Sequence, residues 1–162
     1  MPKKQRNAAR TLCKSNFFVK LNSWCCLTLC LSLSACTSDP SAYRVPGTDF
    51  DRDSVFFIVR NPEDERGLAI LIQEEMRGNS FIVSVGKEDE RPADAGLVVR
   101  YGAQWHWDIT WYLLEFQITV HQPEGDLLVA SAHSYRTSLA RKTPPNVVRD
   151  TIGQLLGEID EQ

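Results

Sequence analysis

The sequence predicts an α+β domain: a single antiparallel or mixed sheet of about five strands, with two helices packed on one face. Three observations carry this. Short runs rich in β-branched and aromatic residues recur at 54–60, 80–86, 96–107, 112–121 and 127–136. Two stretches, one after the first run and one at the chain end, space their apolar residues at helical intervals instead. Strong breakers separate the elements, "QPEGD" at 122–126 above all.

Taken in order, "SVFFIVR" reads as a buried strand. "NPEDERGLAILIQEEMRGN" follows as a helix. Asn61 is placed to cap it, Pro62 suits its first position, and Glu63, Asp64 and Glu65 complement the amino end of the dipole. Leu68, Leu71, Ile72 and Met76 form its inward stripe, and Gly78 closes it. "SFIVSVG" is a second strand and "KEDERPADA" a charged, solvated loop. The chain closes on a helix opened by Thr143 and Pro144, with Val148, Ile152, Leu155 and Ile159 on one side and Arg149, Asp150, Glu158 and Asp160 left to water.

The segment "QWHWDITWYLLEF", 104–116, poses the main question, because an aromatic cluster serves either a ligand platform or a sheet core. Side chains alternate faces along a strand. Leu97, Val99, Tyr101, Ala103, Trp105 and Trp107 share one parity, and Tyr112, Leu114, Phe116, Ile118 and Val120 the other. A hairpin with an even-length loop puts both sets on one face, with Trp105 opposite Phe116, Trp107 opposite Leu114 and Tyr101 opposite Val120. Cross-strand core pairs are therefore expected, with Trp111 at the turn as the exposed exception.

The chain of 162 residues is 43% hydrophobic and 24% charged, with a net charge of −3. That figure hides a segregation. Residues 1–35 hold Lys3, Lys4, Arg6, Arg10, Lys14 and Lys20 and no acid. Without them, 12 basic residues face 21 acidic ones, and a surface that acidic repels nucleic acid. After the basic start comes the apolar stretch "WCCLTLCLSLSA", too short to span a bilayer and suited to an export signal. All five cysteines, Cys13, Cys25, Cys26, Cys30 and Cys36, lie in the first 36 residues. No cysteine follows Cys36, so the domain beyond it has no disulfide, catalytic thiol or thiolate metal site of its own.

The cut site "LSAC", Leu33 to Cys36, resembles the lipobox of bacterial lipoproteins. The resemblance implies residues 1–35 as a signal peptide, Cys36 as the lipidated residue, 36–53 as anchor and flexible tether, and 54–162 as a periplasmic α+β domain. A plain secretory signal with an incidental cysteine is the competing reading. Thr37, rather than an aspartate, follows Cys36, with Asp39 two residues later. In a Gram-negative host that pattern implies export to the outer membrane, periplasm-facing. Two acyl chains make such an anchor firm, each buried CH₂ contributing about 0.8 kcal/mol.

Sites with chemistry are scarce. His106 with Asp108 and the neighbouring-strand His121 could in principle hold zinc or act as a general base. The expected register sets His106 opposite Glu115 and His121 opposite Arg100, about 20 Å apart, so no metal site and no cofactor is expected. His133 has no evident partner. No Gly-x-Ser-x-Gly elbow, His-Glu-x-x-His or phosphate loop occurs, and no enzymatic activity is expected. "ADAGLVVRYGAQWHWDITWYLLEFQITV", continued by "GDLLVASAHSYR", resembles a family of small uncharacterised proteobacterial lipoproteins, on Trp107, Asp108, Tyr112, Ala130 and Ala132. That implies location and fold rather than mechanism. The expected function is an accessory module for an envelope complex, docking an envelope protein through a polar surface of His106, Asp108, Trp111, Glu115, Gln117 and His121. A lipid- or small-ligand-binding protein and an envelope-polymer hydrolase are the alternatives.

Overall fold

The computed structural model describes residues 39–48, 50–51 and 53–157. The expected export signal, Cys36, Thr37 and Ile159 lie outside the described residues. The elements are β1 (Asp39–Arg44), β2 (Val55–Val59), α1 (Leu68–Gly78), β3 (Ile82–Gly86), β4 (Leu97–Asp108), β5 (Thr110–His121), β6 (Leu128–Tyr135) and α2 (Pro144–Leu156). The strands form one six-stranded mixed sheet in the order β1-β6-β5-β4-β2-β3. The expected α+β class stands, with one strand more. That strand, β1, takes residues assigned from sequence to a tether. It pairs antiparallel with β6, Asp39 opposite Tyr135 through Arg44 opposite Ala130, so its "DPSAYR" owes its extended form to a neighbour rather than to any periodicity of its own.

β2 lies parallel to both β3 and β4, and the other pairs are antiparallel. The helices cover one face. Leu68, Ala69, Ile72 and Met76 of α1 and Val147, Val148, Ile152 and Leu155 of α2 pack with Phe56, Ile58, Val99, Phe116, Ile118, Val120, Ala130 and Ala132 in one apolar cluster. The alanines of β6 leave room for a helix close to the sheet. On the second face Phe57 and Val98 are also buried. There the 87–96 connection crosses the strands, held by the Arg100–Glu88 pair at 2.7 Å and by Gly96 N–H donating to the Val55 carbonyl at 2.9 Å.

The first helix starts later than its apolar and acidic pattern implies, at Leu68 rather than Pro62. Gly67 is left-handed at φ 73°, which a helix interior does not accept. The reason lies one turn upstream. The Asp64 carboxylate accepts from the N–H of Leu68 and Ala69 at 3.0 and 2.9 Å, and Tyr101 on β4 donates its hydroxyl to the same carboxylate at 2.8 Å. Asp64 thus caps α1 from outside it and pins the loop to the sheet. Burial alone would raise its pKa. The hydrogen bonds from Ala69, Leu68, Tyr101 and Arg66 outweigh that and hold it below the ordinary 3.8, while burial first of all pushes the Tyr101 hydroxyl up to about 12. The second helix follows its pattern, Thr143 preceding Pro144 at the start. Asp150 does not face water freely, for it bridges Arg136 at 2.8 Å and Lys142 at 2.7 Å.

A carboxylate with a lowered folded pKa stabilises the fold above its unfolded pKa and loses that contribution as pH falls through the folded value. Asp64→Ala is therefore expected to cost about 1–2 kcal/mol at neutral pH, with the gap to the native protein narrowing in acid, below the ordinary carboxylate value of 3.8. Urea unfolding midpoints of both proteins at pH 7 and in acid measure it.

Candidate functional site: an aromatic arm at one end of the sheet

The β4–β5 hairpin is where the sequence-based register fails, and where the surface is most unusual. At its base, odd residues of β4 meet even residues of β5 as expected in parity but not in pairing: Val99 faces Val120, Tyr101 faces Ile118 and Ala103 faces Phe116. The register then shifts. Gln104 lies opposite Glu115 but Trp105 opposite Leu113, leaving Leu114 as an extra residue. Beyond this bulge Trp107 faces Trp111 and His106 faces Tyr112, so the expected Trp105–Phe116 and Trp107–Leu114 pairs do not form. The cause is the turn. The strands are joined by Ile109 alone, between the paired Asp108 and Thr110, rather than by a longer even loop. Ile109 has φ 63°, a conformation in which a β-branched residue is strained by about 1–3 kcal/mol.

Pairing to β6 stops at Glu115 and pairing to β2 at Val99. The outer part of the hairpin is thus a two-stranded arm, a structure that needs support to persist in water. Two arginines supply it, one on each face. Arg66, from the loop before α1, lies over the Trp105 ring at 4.5 Å and the Trp111 ring at 5.3 Å. Arg141, from the segment before α2, lies 4.7 Å from the Tyr112 ring. Its guanidinium donates to the Asp108 carboxylate at 2.6 Å, the Asp108 carbonyl at 2.9 Å, Thr110 Oγ1 at 3.1 Å and the Ser138 carbonyl at 2.8 Å. At the bulge, the Arg136 N–H donates to the Leu114 carbonyl at 2.8 Å.

The tryptophans therefore divide. Trp105 packs against the core cluster, as the parity argument requires. Trp107 and Trp111 stand 57% and 53% exposed, edge to face with ring centroids 5.6 Å apart. Ile109 at the apex is 84% exposed, and Leu139, in the short 3-10 turn Ser138–Ala140 that Arg141 ties to the arm, is 85% exposed. Trp107, expected in the core, is instead surface. Alternation along a strand does not encode a bulge such as the one at Leu114, and beyond it, among the described residues, no neighbouring strand covers the arm.

The polar residues expected to form one docking surface are separated by the same register. His106, edge-on to Tyr112 at 5.7 Å, and Asp108 share one face of the arm, and Trp111 lies on the other. Glu115 does not meet His106; it pairs with His133 at 2.9 Å, across the β5–β6 ladder. Gln117 lies opposite His133 on the bare sheet face. His121 lies opposite Val98, not Arg100, with Nδ1 at 3.1 Å from the Asp126 carbonyl. Eight positions of β4, about 26 Å, now part the levels of His106 and His121. Among the described residues no group of three or more His, Cys, Asp or Glu side chains is placed to hold a metal ion. Ile109, Leu139, Arg66 and Arg141 escaped the sequence reading, which placed Trp107 in the core; the signal that could have found Ile109 is an isoleucine where a turn asks for Asn or Gly.

One end of the sheet gathers these features. Asp39, the first residue of β1, lies opposite Tyr135; Tyr135 lies opposite Glu115, and Glu115 opposite Gln104. The arm rises from that row, and β1 begins in it.

The sequence matches no protein-family profile and no curated protein. Among solved structures the chain is similar to PelC from Paraburkholderia phytofirmans, a dodecamer, with a TM-score of 0.55 at 15% identity over 75% of this chain and 99% of that one. A point variant of the same protein in another crystal form gives 0.53 at 14% identity, over 73% of this chain and 96% of that one. A minor lipoprotein from Acinetobacter baumannii covers 67% of this chain and 91% of that one at 15% identity and a TM-score of 0.35, too low to carry an argument. The likeness to PelC shows a shared fold.

If Arg141 holds the arm, Arg141→Leu leaves the core folded and loosens the hairpin beyond Leu114. Amide hydrogen exchange for residues 105–113 is expected to accelerate at least about tenfold, the equivalent of about 1.4 kcal/mol, while exchange in β5 below Glu115 stays unchanged.

Proposed function

We propose that this chain is a lipid-anchored lipoprotein of the outer membrane, facing the periplasm of a Gram-negative host, and that it works as an accessory module of an envelope complex with the aromatic end of its sheet turned to the membrane. One observation carries the reading. The exposed Trp107, Ile109 and Trp111 project from the end of the sheet at which β1 begins, and Asp39 is three residues after Cys36. Three residues span at most about 10 Å. A lipid on Cys36 would hold that end, and no other, against the bilayer. Tryptophan is the side chain that favours the boundary between headgroups and hydrocarbon, and a lipoprotein is the setting in which an exposed aromatic end is not a liability.

With the arm at the membrane, the bare face of β1, β6, β5 and upper β4 stands away from it, carrying Gln104, Gln117, Ser131, His133 and Glu115. That face and the edge of β1, an outer strand of the sheet among the described residues, are the surfaces we assign to an envelope partner. A second reading concerns self-association. The fold is shared with PelC, a dodecamer, and β1 and β3 are both sheet edges, so copies of this chain could join edge to edge. A monomer at all concentrations in sedimentation velocity, with the lipid in place in detergent, would exclude it.

The anchor is tested by metabolic labelling with a fatty acid and by membrane fractionation. Native protein is expected to carry label at Cys36 and to sediment with outer membrane, whereas Cys36→Ala loses the label and is released to the soluble fraction. Label on the native chain with inner-membrane sedimentation would overturn the outer-membrane assignment, and absence of label would overturn the anchor. Crosslinking in intact cells then asks whether a partner recovered with the native protein is lost from Cys36→Ala.

A further inference from the structure

We infer that Ile109 is the group the arm inserts into the hydrocarbon edge of the bilayer, and that the hairpin carries a strained backbone in order to present it. The inference rests on the membrane-facing reading above and gives it a contact residue.

The backbone at the apex states the problem. Ile109 sits at φ 63°, which asparagine or glycine adopts readily and a β-branched residue resists. An isoleucine there costs stability and gains nothing inside the protein, since it is 84% exposed. Strain that no internal contact offsets points to a contact outside. The neighbours fit an apolar one. Trp107 and Trp111 flank the apex as an edge-to-face pair, at the depth where indoles rest when an aliphatic tip is deeper. Asp108, next to the apex, is paired with Arg141 at 2.6 Å, so insertion of the apex leaves that carboxylate neutralised.

Reach agrees. Ile109 lies five positions beyond Gln104 on the row that contains Asp39, about 16 Å along the strand, while Cys36 lies within about 10 Å of Asp39. With the strands upright on the membrane, an apex that extends farther than the tether meets the bilayer to which that anchor is fixed. Arg66 over Trp105 and Trp111 keeps the arm stiff enough to do so.

The test uses the mature lipidated protein reconstituted in phosphatidylethanolamine–phosphatidylglycerol vesicles whose acyl chains carry bromine, which quenches nearby tryptophan. Native protein is expected to be quenched. Ile109→Asn, and as a second variant Ile109→Gly, are expected to raise the thermal midpoint by about 3–6 °C through relief of strain and to reduce quenching at least about twofold. Ile109→Leu is expected to retain the quenching. Native quenching that persists undiminished in Ile109→Asn, or a midpoint that falls in both Asn and Gly variants, overturns the role of Ile109 and leaves the membrane-facing reading standing. Absence of quenching in the native protein removes that reading and the inference together, and directs the apex to a protein partner.

Discussion

The rest of the structure depends on how the chain passes from β4 to β5. Below Leu114 the two strands are shared property, flanked by β2 and β6 and covered by both helices; Val99, Tyr101, Phe116, Ile118 and Val120 on that face are buried, with Leu97 and Ala103 packed partly buried against them. Above it they have only each other. A single extra residue converts one into the other, because a bulge breaks the face alternation and adds twist. It lets Trp105 finish the core while Trp107 and Trp111 leave it. The free carbonyl of Leu114 is taken by Arg136, whose side chain bridges to Asp150 on α2, so the start of the arm is coupled to the helix layer.

Arginine is the natural support for such an arm. Its guanidinium can lie flat on an indole or phenol ring and still send its N–H groups to carbonyls and carboxylates in the ring plane. Arg66 uses the first property and Arg141 both. The two come from loops that precede α1 and α2, so the positions of the helices are transmitted to the arm. Asp64 serves the same loop at its other side, capping α1 and receiving Tyr101 from the sheet. A loop that a local reading takes for the first turn of a helix is in fact the bracket between helix, sheet and arm.

An aromatic arm and a proposed lipid anchor at one end give the molecule a polarity that a bare list of strands and helices does not contain. The chain after residue 35 carries 12 basic against 21 acidic residues, a net negative charge that favours repulsion between copies over non-specific association.

The sequence alone determined the number of layers, the α+β class and most of the elements, because binary patterning and strong turn residues act within a few positions and the chain obeys them: "SVFFIVR", "SFIVSVG", the two long strands, "QPEGD" and the Thr143–Pro144 start of α2. It also determined the parity that buries Val99, Tyr101, Phe116 and Ile118 together. Only the tertiary structure decided the remainder. β1 is a strand because β6 lies beside it; α1 starts at Leu68 because Asp64 answers to Tyr101 thirty-seven positions away; and Trp107 is exposed because, among the described residues, no neighbouring strand pairs as far along the arm. Each of these outcomes is set by a partner distant in sequence, or by the lack of one, and periodicity records only what near neighbours in the chain require.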